Sequence, residues 1–252
     1  IATRNKENLK NAASATVAGA LRKVFMKNIT GWFRKPTVRD LADLVEKSKK
    51  ILILSGSGIS NACGFSEFHG PSGQWDRHKP VSMQEFMRDV EKRKEYWRRK
   101  MEFMSIMLKA RPSLCHELIA QLEKSGKLKG VITQNIDGLH QLAGNSEDKV
   151  IEMNGSNRQI ICLNCGRMES WQIVFQIIKD GLEAPTCKEC GGILKPNTIF
   201  FGQEADNRLL LKALSWAKDS DLLVAAGSSL SSESVDPIIQ TARQYKSKLV
   251  IV

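Results

Sequence analysis

Apolar residues recur at helical spacing just after residue 37 and then give way to a continuously apolar run. The segment TVRDLADLVEKSKK places four apolar residues on one side of a predicted helix: Val38, Leu41, Leu44 and Val45. The run ILIL at 51–54 is too short and too continuously apolar for a helix, so it predicts a buried strand. The glycine-rich SGSGIS that follows predicts a tight turn leading into a helix.

Two later runs repeat this order of an apolar strand followed by small or polar residues. They are KGVITQNID at 129–137 and SDLLVAAGSSL at 220–230, and KLVIV at 248–252 predicts a further strand. This order predicts an α/β fold with a doubly wound sheet. In open α/β sheets, ligands bind beyond the carboxyl ends of the strands. We therefore expect the three polar loops to face one crevice.

Two unlike insertions separate these strands. Residues 82–110 predict one long helix with an apolar face made of Phe86, Val90, Trp97, Met101, Met104 and Leu108. Such a stripe indicates packing rather than a cofactor contact. The other insertion, at 155–195, carries four of the six cysteines.

The 252 residues are 42% apolar, which is enough for a well-buried core. The longest apolar runs fall far short of the roughly 20 residues that cross a bilayer, so we expect a soluble protein without a membrane partner. The net charge of +11 is concentrated in residues 1–38, which hold eight lysines and arginines and one acid.

An arm of this kind is typical of an organelle transit segment, and a solvated leader helix is the alternative. We expect an intracellular protein; mitochondrial, nuclear and cytoplasmic locations stay open, and the basic arm is compatible with a mitochondrial one. No aromatic residue lies among these charges before Phe25, so direct nucleic-acid binding is not predicted.

The cysteines of CLNC and CKEC form two CxxC pairs separated by 21 residues: Cys162, Cys165, Cys187 and Cys190. Four thiolates from two such turns close a tetrahedral Zn²⁺ site and leave no position for water, so they predict a structural metal. Two disulfides are the alternative, and these need an oxidising compartment, for which no signal peptide is seen.

The polar loops carry the candidate ligand-binding groups. Backbone N–H groups of a glycine turn such as SGSGIS can hold a pyrophosphate. The dinucleotide pattern GxGxxG is incomplete, because its third glycine falls on Asn61, and this disfavours an ordinary dehydrogenase. In TQNIDGLH, an amide pair and a carboxylate could bind hydroxyls and a carboxamide, although Asp137 is equally well explained as a helix cap.

Taken together, these segments resemble the sirtuins, the NAD-dependent protein lysine deacylases. The likeness runs in one collinear order from about residue 37 to residue 252. SGSGIS is similar to the family's GAGxS turn, GFSEFHGPSGQW to GIPDFRGPxGxW, LKPNTIFFGQ to KPDIVxFGE and GSSL to GTSL, while TQNIDGLH and the cysteine quartet are intact. The resemblance implies a Rossmann-like parallel sheet with helices on both faces, plus a small domain made of a zinc ribbon and a helical insertion.

The resemblance also implies domain bounds and residue roles. Residues 1–36 would be a basic extension; 37–75, 111–154 and 200–252 the NAD-binding domain; and 76–110 and 155–199 the small domain. The implied NAD-binding residues are Gly56, Ser57, Gly58, Phe68, His69, Gln134, Asn135, Asp137, Gly227, Ser228 and Ser229. Asn135, Asp137 and Asn154 would line the reaction centre, and residues 199–203 would pair with an acylated-lysine peptide or protein. His116 falls on a structural histidine of the family.

The departures from the family pattern fall where the reaction occurs. The family reads ELH where this chain reads EMN, and that histidine deprotonates a ribose hydroxyl after the acyl oxygen displaces nicotinamide. Asn154 can accept a hydrogen bond but cannot take a proton at working pH. Histidine at position 69 replaces an arginine, and Glu67 replaces an aspartate. Further changes lie at Ser57, Ser66, Asn197, Gln203, Ser232 and Ser234.

Three functional hypotheses follow. The first is a protein of the sirtuin class that binds zinc and NAD, in which deacylation is impaired by Asn154. The second is a working NAD-dependent deacylase in which another base, such as His69, replaces the missing histidine. The third is an interaction module without catalysis.

Overall fold

The computed structural model describes residues 37–65, 81–200, 206–230, 232 and 234–252. Three parts of the prediction therefore lie outside the described residues: the extension 1–36, the segment that holds Phe68 and His69, and Gln203. The chain divides into two compact units, Ile1–Glu46 and Lys47–Val252.

The strands are β1 (Ile51–Ser55), β2 (Leu128–Thr133), β3 (Val150–Glu152), β4 (Gly155–Cys162), β5 (Met168–Ser170), β6 (Leu194–Thr198), β7 (Leu222–Ala226) and β8 (Lys248–Ile251). The α-helices are α1 (Val38–Lys47), α2 (Met83–Arg88), α3 (Val90–Lys109), α4 (Leu114–Lys124), α5 (Leu139–Leu142), α6 (Trp171–Lys179), α7 (Asn207–Lys218) and α8 (Asp236–Gln244). Two 3-10 helices span Ser57–Cys63 and Glu147–Lys149.

Helix α1 begins where the sequence predicts it. The Thr37 amide donates to the Asp40 carboxylate at 2.6 Å, and the Asp40 amide donates back to the Thr37 hydroxyl at 3.3 Å. This reciprocal pair satisfies backbone donors that the first helical turn leaves free.

Five parallel strands form the larger sheet in the order β3-β2-β1-β7-β8. Strands β1 and β7 are buried at every residue, as expected for a parallel sheet covered on both faces. On one face, Leu52 and Leu54 pack in a cluster with residues of α7 and α8. On the other face, the Ser55 hydroxyl bonds to His140 of α5. The predicted Rossmann-like sheet with helices on both faces is confirmed.

A smaller antiparallel sheet has the order β5-β4-β6 and carries the cysteine pairs. Its core joins the helical insertion to the ribbon, because Trp97 of α3 packs with Ile160 of β4 and with Cys162 and Cys187. The predicted residue bounds of the two domains stay predictions.

The single helix predicted over 82–110 is wrong in two respects. Asp89 adopts an extended backbone that ends α2, and its carboxylate caps α3 by accepting from the amides of Glu91 and Lys92. Phe86, Trp97 and Met104 are buried, but the predicted face fails at the ends of α3, where Val90 is 46% exposed and Leu108 is 51% exposed. Asp89 favours the cap position because its carboxylate competes for backbone N–H groups.

None of the described helices is both long enough and apolar enough to cross a membrane.

Candidate functional site

Three loops meet at the carboxyl ends of the central strands. Ser55 of β1 pairs with Thr133 of β2 on one side and with Ala226 of β7 on the other. The residues that follow these strand ends therefore emerge side by side, at the edge of the sheet where α/β proteins bind ligands.

The glycine turn after β1 crosses the loop after β7 at backbone contact distance. The Gly56 amide donates to Ala226 O at 3.0 Å, and the Gly58 amide donates to Gly227 O at 2.9 Å. A Cβ at position 56 would lie 2.6 Å from Gly227 O, and one at position 58 would lie 2.7 Å from Gly227 Cα. Gly227 itself has a positive φ of 62°. Glycine is therefore required on both sides of this crossing.

We expect Gly56→Ala to lower the melting temperature and to weaken binding of NAD, because forced overpacking costs about 1–3 kcal/mol and separates the two loops. Differential scanning calorimetry and titration calorimetry measure the two effects. Gly144→Ala is the control for binding: the positive φ of 108° strains an added side chain, but no atom lies within 4 Å of the added Cβ, so this change should lower the melting temperature without weakening the binding of NAD. A Gly56→Ala protein that melts and binds like the parent would contradict the steric argument.

Gln134 is held from three directions. Its amide donates to Ser55 O at 2.9 Å, and its side-chain Oε1 accepts from the Ser228 hydroxyl at 2.7 Å. Its carbonyl oxygen accepts from Asn154 Nδ2 at 2.7 Å. Gln134 thus joins the loop after β2 to the loop after β7 and to the turn between β3 and β4.

Asn135 and Asp137 belong to one hydrogen-bonded network. Asn135 is 5% exposed, and its Nδ2 donates to Gly56 O at 3.0 Å and to the Ser60 hydroxyl at 3.1 Å. The Ser60 hydroxyl donates in turn to Asp137 Oδ2 at 2.7 Å. Asp137 Oδ1 accepts from the Leu139 amide at 3.0 Å, so the alternative role as a helix cap also applies.

A cavity opens over this network. Its lining combines polar residues of the two loops with aromatic and aliphatic side chains: Ser57, Ser60, Phe65, Phe103, Asn135, Ile136 and Asp137. The rings of Phe65 and Phe103 lie with their centroids 5.3 Å apart. The arrangement offers hydrogen-bonding groups beside an apolar wall.

The structure brings together most of the described residues that the sequence analysis selects. Gly56, Ser57, Gly58, Gln134, Asn135, Asp137, Asn154, Gly227 and Ser228 meet through these contacts. Ser229 is exposed and follows Ser228 directly.

Sequence reasoning missed three residues of the site. Ser60, which bridges Asn135 and Asp137, is the final serine of SGSGIS, so the turn motif held a signal for it. Phe65 follows the glycine turn closely. Phe103 lies on α3 outside the apolar face predicted for residues 82–110, so the sequence held no signal for its place in the cavity.

Asn154 stands exposed on the turn between β3 and β4. Its Nδ2 donates a hydrogen bond to Gln134 O, and its backbone carbonyl oxygen accepts one from the Ile199 amide at 3.0 Å. The Asn154 side chain can offer its Oδ1 as a hydrogen-bond acceptor, but an amide does not titrate near neutral pH.

Two of the four histidines fall within the described residues, and both are buried. His116 is 0% exposed and His140 is 1% exposed. His140 Nε2 lies 2.9 Å from the Ser55 hydroxyl, and His116 Nδ1 lies 2.8 Å from the Ser113 hydroxyl. Burial, and then the charge of His116, lowers the pKa of His140 to about 3. Burial also lowers the pKa of His116. Both rings are therefore neutral at physiological pH.

The four cysteine sulfurs of the ribbon converge, with every pair within 4.8 Å. Cys162 Sγ lies 3.5 Å from Cys190 Sγ, and Cys165 Sγ lies 3.8 Å from Cys187 Sγ. Tetrahedral zinc with bonds of about 2.3 Å places its sulfurs roughly 3.8 Å apart, whereas a disulfide bond is about 2.05 Å. All four cysteines are free thiols, so the zinc prediction fits and the disulfide alternative does not.

Backbone amides prepare one of these sulfurs for a cation. Hydrogen bonds from the amides of Cys165 and Asn164 lower the pKa of the Cys162 thiol to about 6. A thiolate is the form that binds zinc.

Comparison with known proteins identifies the family. The model of the Sir2 family matches residues 56–234. An NAD-dependent protein deacetylase of Thermodesulfovibrio yellowstonii is 39% identical over 210 residues, which cover 83% of this chain and 81% of that protein. NAD-dependent protein deacetylase 2 of Streptomyces coelicolor is 37% identical over 206 residues, covering 80% of this chain and 85% of that protein.

Solved structures agree with these relatives. A structure on the structural basis of sirtuin substrate affinity superposes with a TM-score of 0.78 at 31% identity, covering 86% of this chain and 87% of that one. A Sir2 protein with a p53 peptide and NAD⁺ superposes with a TM-score of 0.75 at 31% identity, covering 86% of each chain. The chain belongs to the Sir2 family, the sirtuins, whose members use NAD⁺.

Proposed function

We propose that this sirtuin binds NAD or ADP-ribose in the crevice between the loops after β1, β2 and β7, and binds an acylated-lysine peptide beside it. Deacylation is impaired because Asn154 stands where the family has its general base. The zinc ribbon has a structural role only.

Nucleotide binding is supported by the backbone crossing at Gly56, Gly58 and Gly227, which exposes main-chain groups at the end of β1. Backbone N–H groups in such a turn suit a pyrophosphate. The side chains of Gln134 and Asp137 lie at the same edge, where they can meet the sugar and the carboxamide of the cofactor.

Peptide binding is supported by the solved relatives. One is a Sir2 protein with a p53 peptide and NAD⁺, and another, Sir2Tm, is bound to a propionylated peptide. In this chain the Ile199 amide bonds to Asn154 O, so the segment that follows β6 starts beside the reaction centre. An extended peptide can add to such a segment through main-chain hydrogen bonds.

The single observation that carries the proposed impairment is the state of Asn154. Its Nδ2 already donates to Gln134 O, and its Oδ1 can only accept. The catalytic step needs a group that removes a proton from a ribose hydroxyl, and this contribution is usually worth about two to four powers of ten in rate. The two described histidines are buried and hydrogen-bonded to serines, so neither supplies that group.

Titration calorimetry with NAD and with ADP-ribose tests the proposed binding. We expect heat from both ligands, and a rise in melting temperature that grows with ligand concentration, because a ligand that binds only the folded state stabilises it. The absence of heat and of a thermal shift would favour an interaction module that has lost its nucleotide site.

A further inference from the structure

Beneath the loop at 134–139, which carries Asn135 and Asp137, lies a charged cluster that the proposed chemistry does not use. It consists of Glu147 on a 3-10 helix, Glu152 at the end of β3 and Arg158 on β4. Arg158 Nη2 forms an ion pair with Glu147 Oε1. The cluster connects three chain segments that surround the loop.

Arg158 lies directly across Gly138 of the loop. A Cβ at position 138 would overlap Arg158 Cδ and would lie 2.9 Å from Arg158 Cγ. Gly138 has a positive φ of 71°, so glycine suits the position both for its backbone and for the space that Arg158 occupies. The aliphatic part of the arginine therefore sets how far the loop can move toward β4.

The same strand, β4, also holds Ile136 of the loop. The Asn157 amide donates to Ile136 O at 3.0 Å, and Ile136 lines the cavity together with Asn135 and Asp137. Arg158 and its neighbour Asn157 thus contact two residues, Gly138 and Ile136, of the loop that forms the cavity wall.

Glu152 and Arg158 each bury a polar atom that lacks a hydrogen-bond partner among the described residues. These atoms are Glu152 Oε1 and Arg158 Nη1, and they carry opposite charge when both side chains are ionised. Glu152 also pairs with Thr133 at the end of β2, directly before the loop begins. Pairing of the Glu152 carboxylate with the Arg158 guanidinium would satisfy both atoms.

The pKa of the Glu152 carboxyl group lies near physiological pH. Burial raises the pKa of Glu152 to about 7; the Ser156 hydroxyl and the charge of Arg158 oppose this rise, while Glu147 and Asp137 add to it. Near neutral pH, Glu152 therefore exists in both its protonated and its ionised form.

We propose that Arg158 is a positioning residue for the loop at 134–139 and that Glu152 controls how firmly Arg158 holds it. When Glu152 is ionised, the guanidinium is shared by two carboxylates and pressed against Gly138, which fixes Asn135 and Asp137 in place for the nucleotide. When Glu152 is protonated, only Glu147 holds the guanidinium. The inference rests on the proposed binding of NAD at this loop.

The sign of the pH effect follows from linkage. If the ionised cluster favours the bound state, NAD lowers the pKa of Glu152, and NAD affinity rises as pH rises through the titration of Glu152. Glu152→Gln removes the titration and therefore the rise. Arg158→Met removes the guanidinium, so NAD affinity should be low and should not change with pH.

Titration calorimetry of NAD at about pH 6 and about pH 8 tests this, because the two values bracket the titration of Glu152. We expect the parent affinity to rise by about fivefold between them, the smallest usual coupling. Glu152→Gln should show no rise, and Arg158→Met should bind about tenfold more weakly than the parent at the higher pH. Arg99→Met is the matched control: the Arg99 side chain is 33% exposed and pairs with Glu95, much as Arg158 is 31% exposed and pairs with Glu147.

Equal binding by Arg158→Met and the parent, or an equal loss in Arg99→Met, would overturn the inference. Hydrogen exchange separates its failure from a failure of the proposed function, because it needs no ligand. Arg158→Met should speed exchange of the amides at 135–139 relative to the parent and to Arg99→Met. If the parent binds no NAD, the proposed function fails and this exchange result alone decides whether Arg158 positions the loop.

Discussion

Changing Asn154 to histidine is expected to raise the rate of peptide deacylation by about two to four powers of ten, the usual contribution of a general base. The surrounding loops are already assembled, because Gln134 joins the loops after β2 and β7 and Asn135 reaches Gly56. An imidazole at position 154 would add a group that titrates near neutral pH to this arrangement. Formation of the deacetylated peptide from an acetylated peptide and NAD, followed by mass spectrometry, measures the gain, because the base acts after nicotinamide has left.

Asn154→Ala is the control for this experiment. Alanine removes the same Nδ2 bond to Gln134 O and introduces no base, so it should show no gain in turnover over the parent. If Asn154→His stays as slow as the parent, restoring a base at position 154 does not by itself restore turnover. The changes at Glu67 and His69, which lie outside the described residues, would then limit turnover as much as the change at position 154.

Removing zinc should unfold the small antiparallel sheet. Structural zinc sites contribute about 10–16 kcal/mol of apparent binding free energy, which rivals the total stability of a typical domain. Cys162 and Cys187 are also part of the core that contains Trp97 and Trp171. A strong chelator, or Cys187→Ser, should therefore release the metal and shift tryptophan emission to the red.

Cys115→Ser is the matched control, because Cys115 is half-buried and does not belong to the quartet. It should keep one zinc per chain by atomic emission and an unchanged emission spectrum. A Cys187→Ser protein with full zinc content and native fluorescence would contradict the four-thiolate site.

The central strands of the large sheet could be predicted from the sequence because β1, β2 and β7 are buried at nearly every residue. The runs 51–54 and 222–226 are apolar throughout and are followed by a polar residue or glycine, which is typical of buried parallel strands. The helical insertion was predicted less well. Apolar periodicity continues through position 89, but the local preference of Asp89 for a cap divides the segment into α2 and α3.

The site could be predicted where a motif fixes the backbone. The roles of Gly56, Gly58 and Gly227 could be predicted because only glycine permits the crossing of the two loops. The places of Phe103 and Arg158 could not be predicted, since the packing of a distant segment brings each of them to the site. Nothing in the spacing of the sequence indicates that Arg158 lies over Gly138.

Nucleotide capture without efficient turnover is the central expectation, and one comparison on the unmodified protein tests it. NAD binding by calorimetry is measured beside formation of the deacetylated peptide from an acetylated peptide, under the same buffer conditions. The expected result is saturable binding of NAD together with turnover at least about a hundredfold below that of the Asn154→His protein. Turnover by the unmodified protein that matches that of an active NAD-dependent protein deacetylase measured beside it would contradict the account, because it would mean that a proton acceptor other than residue 154 serves the reaction.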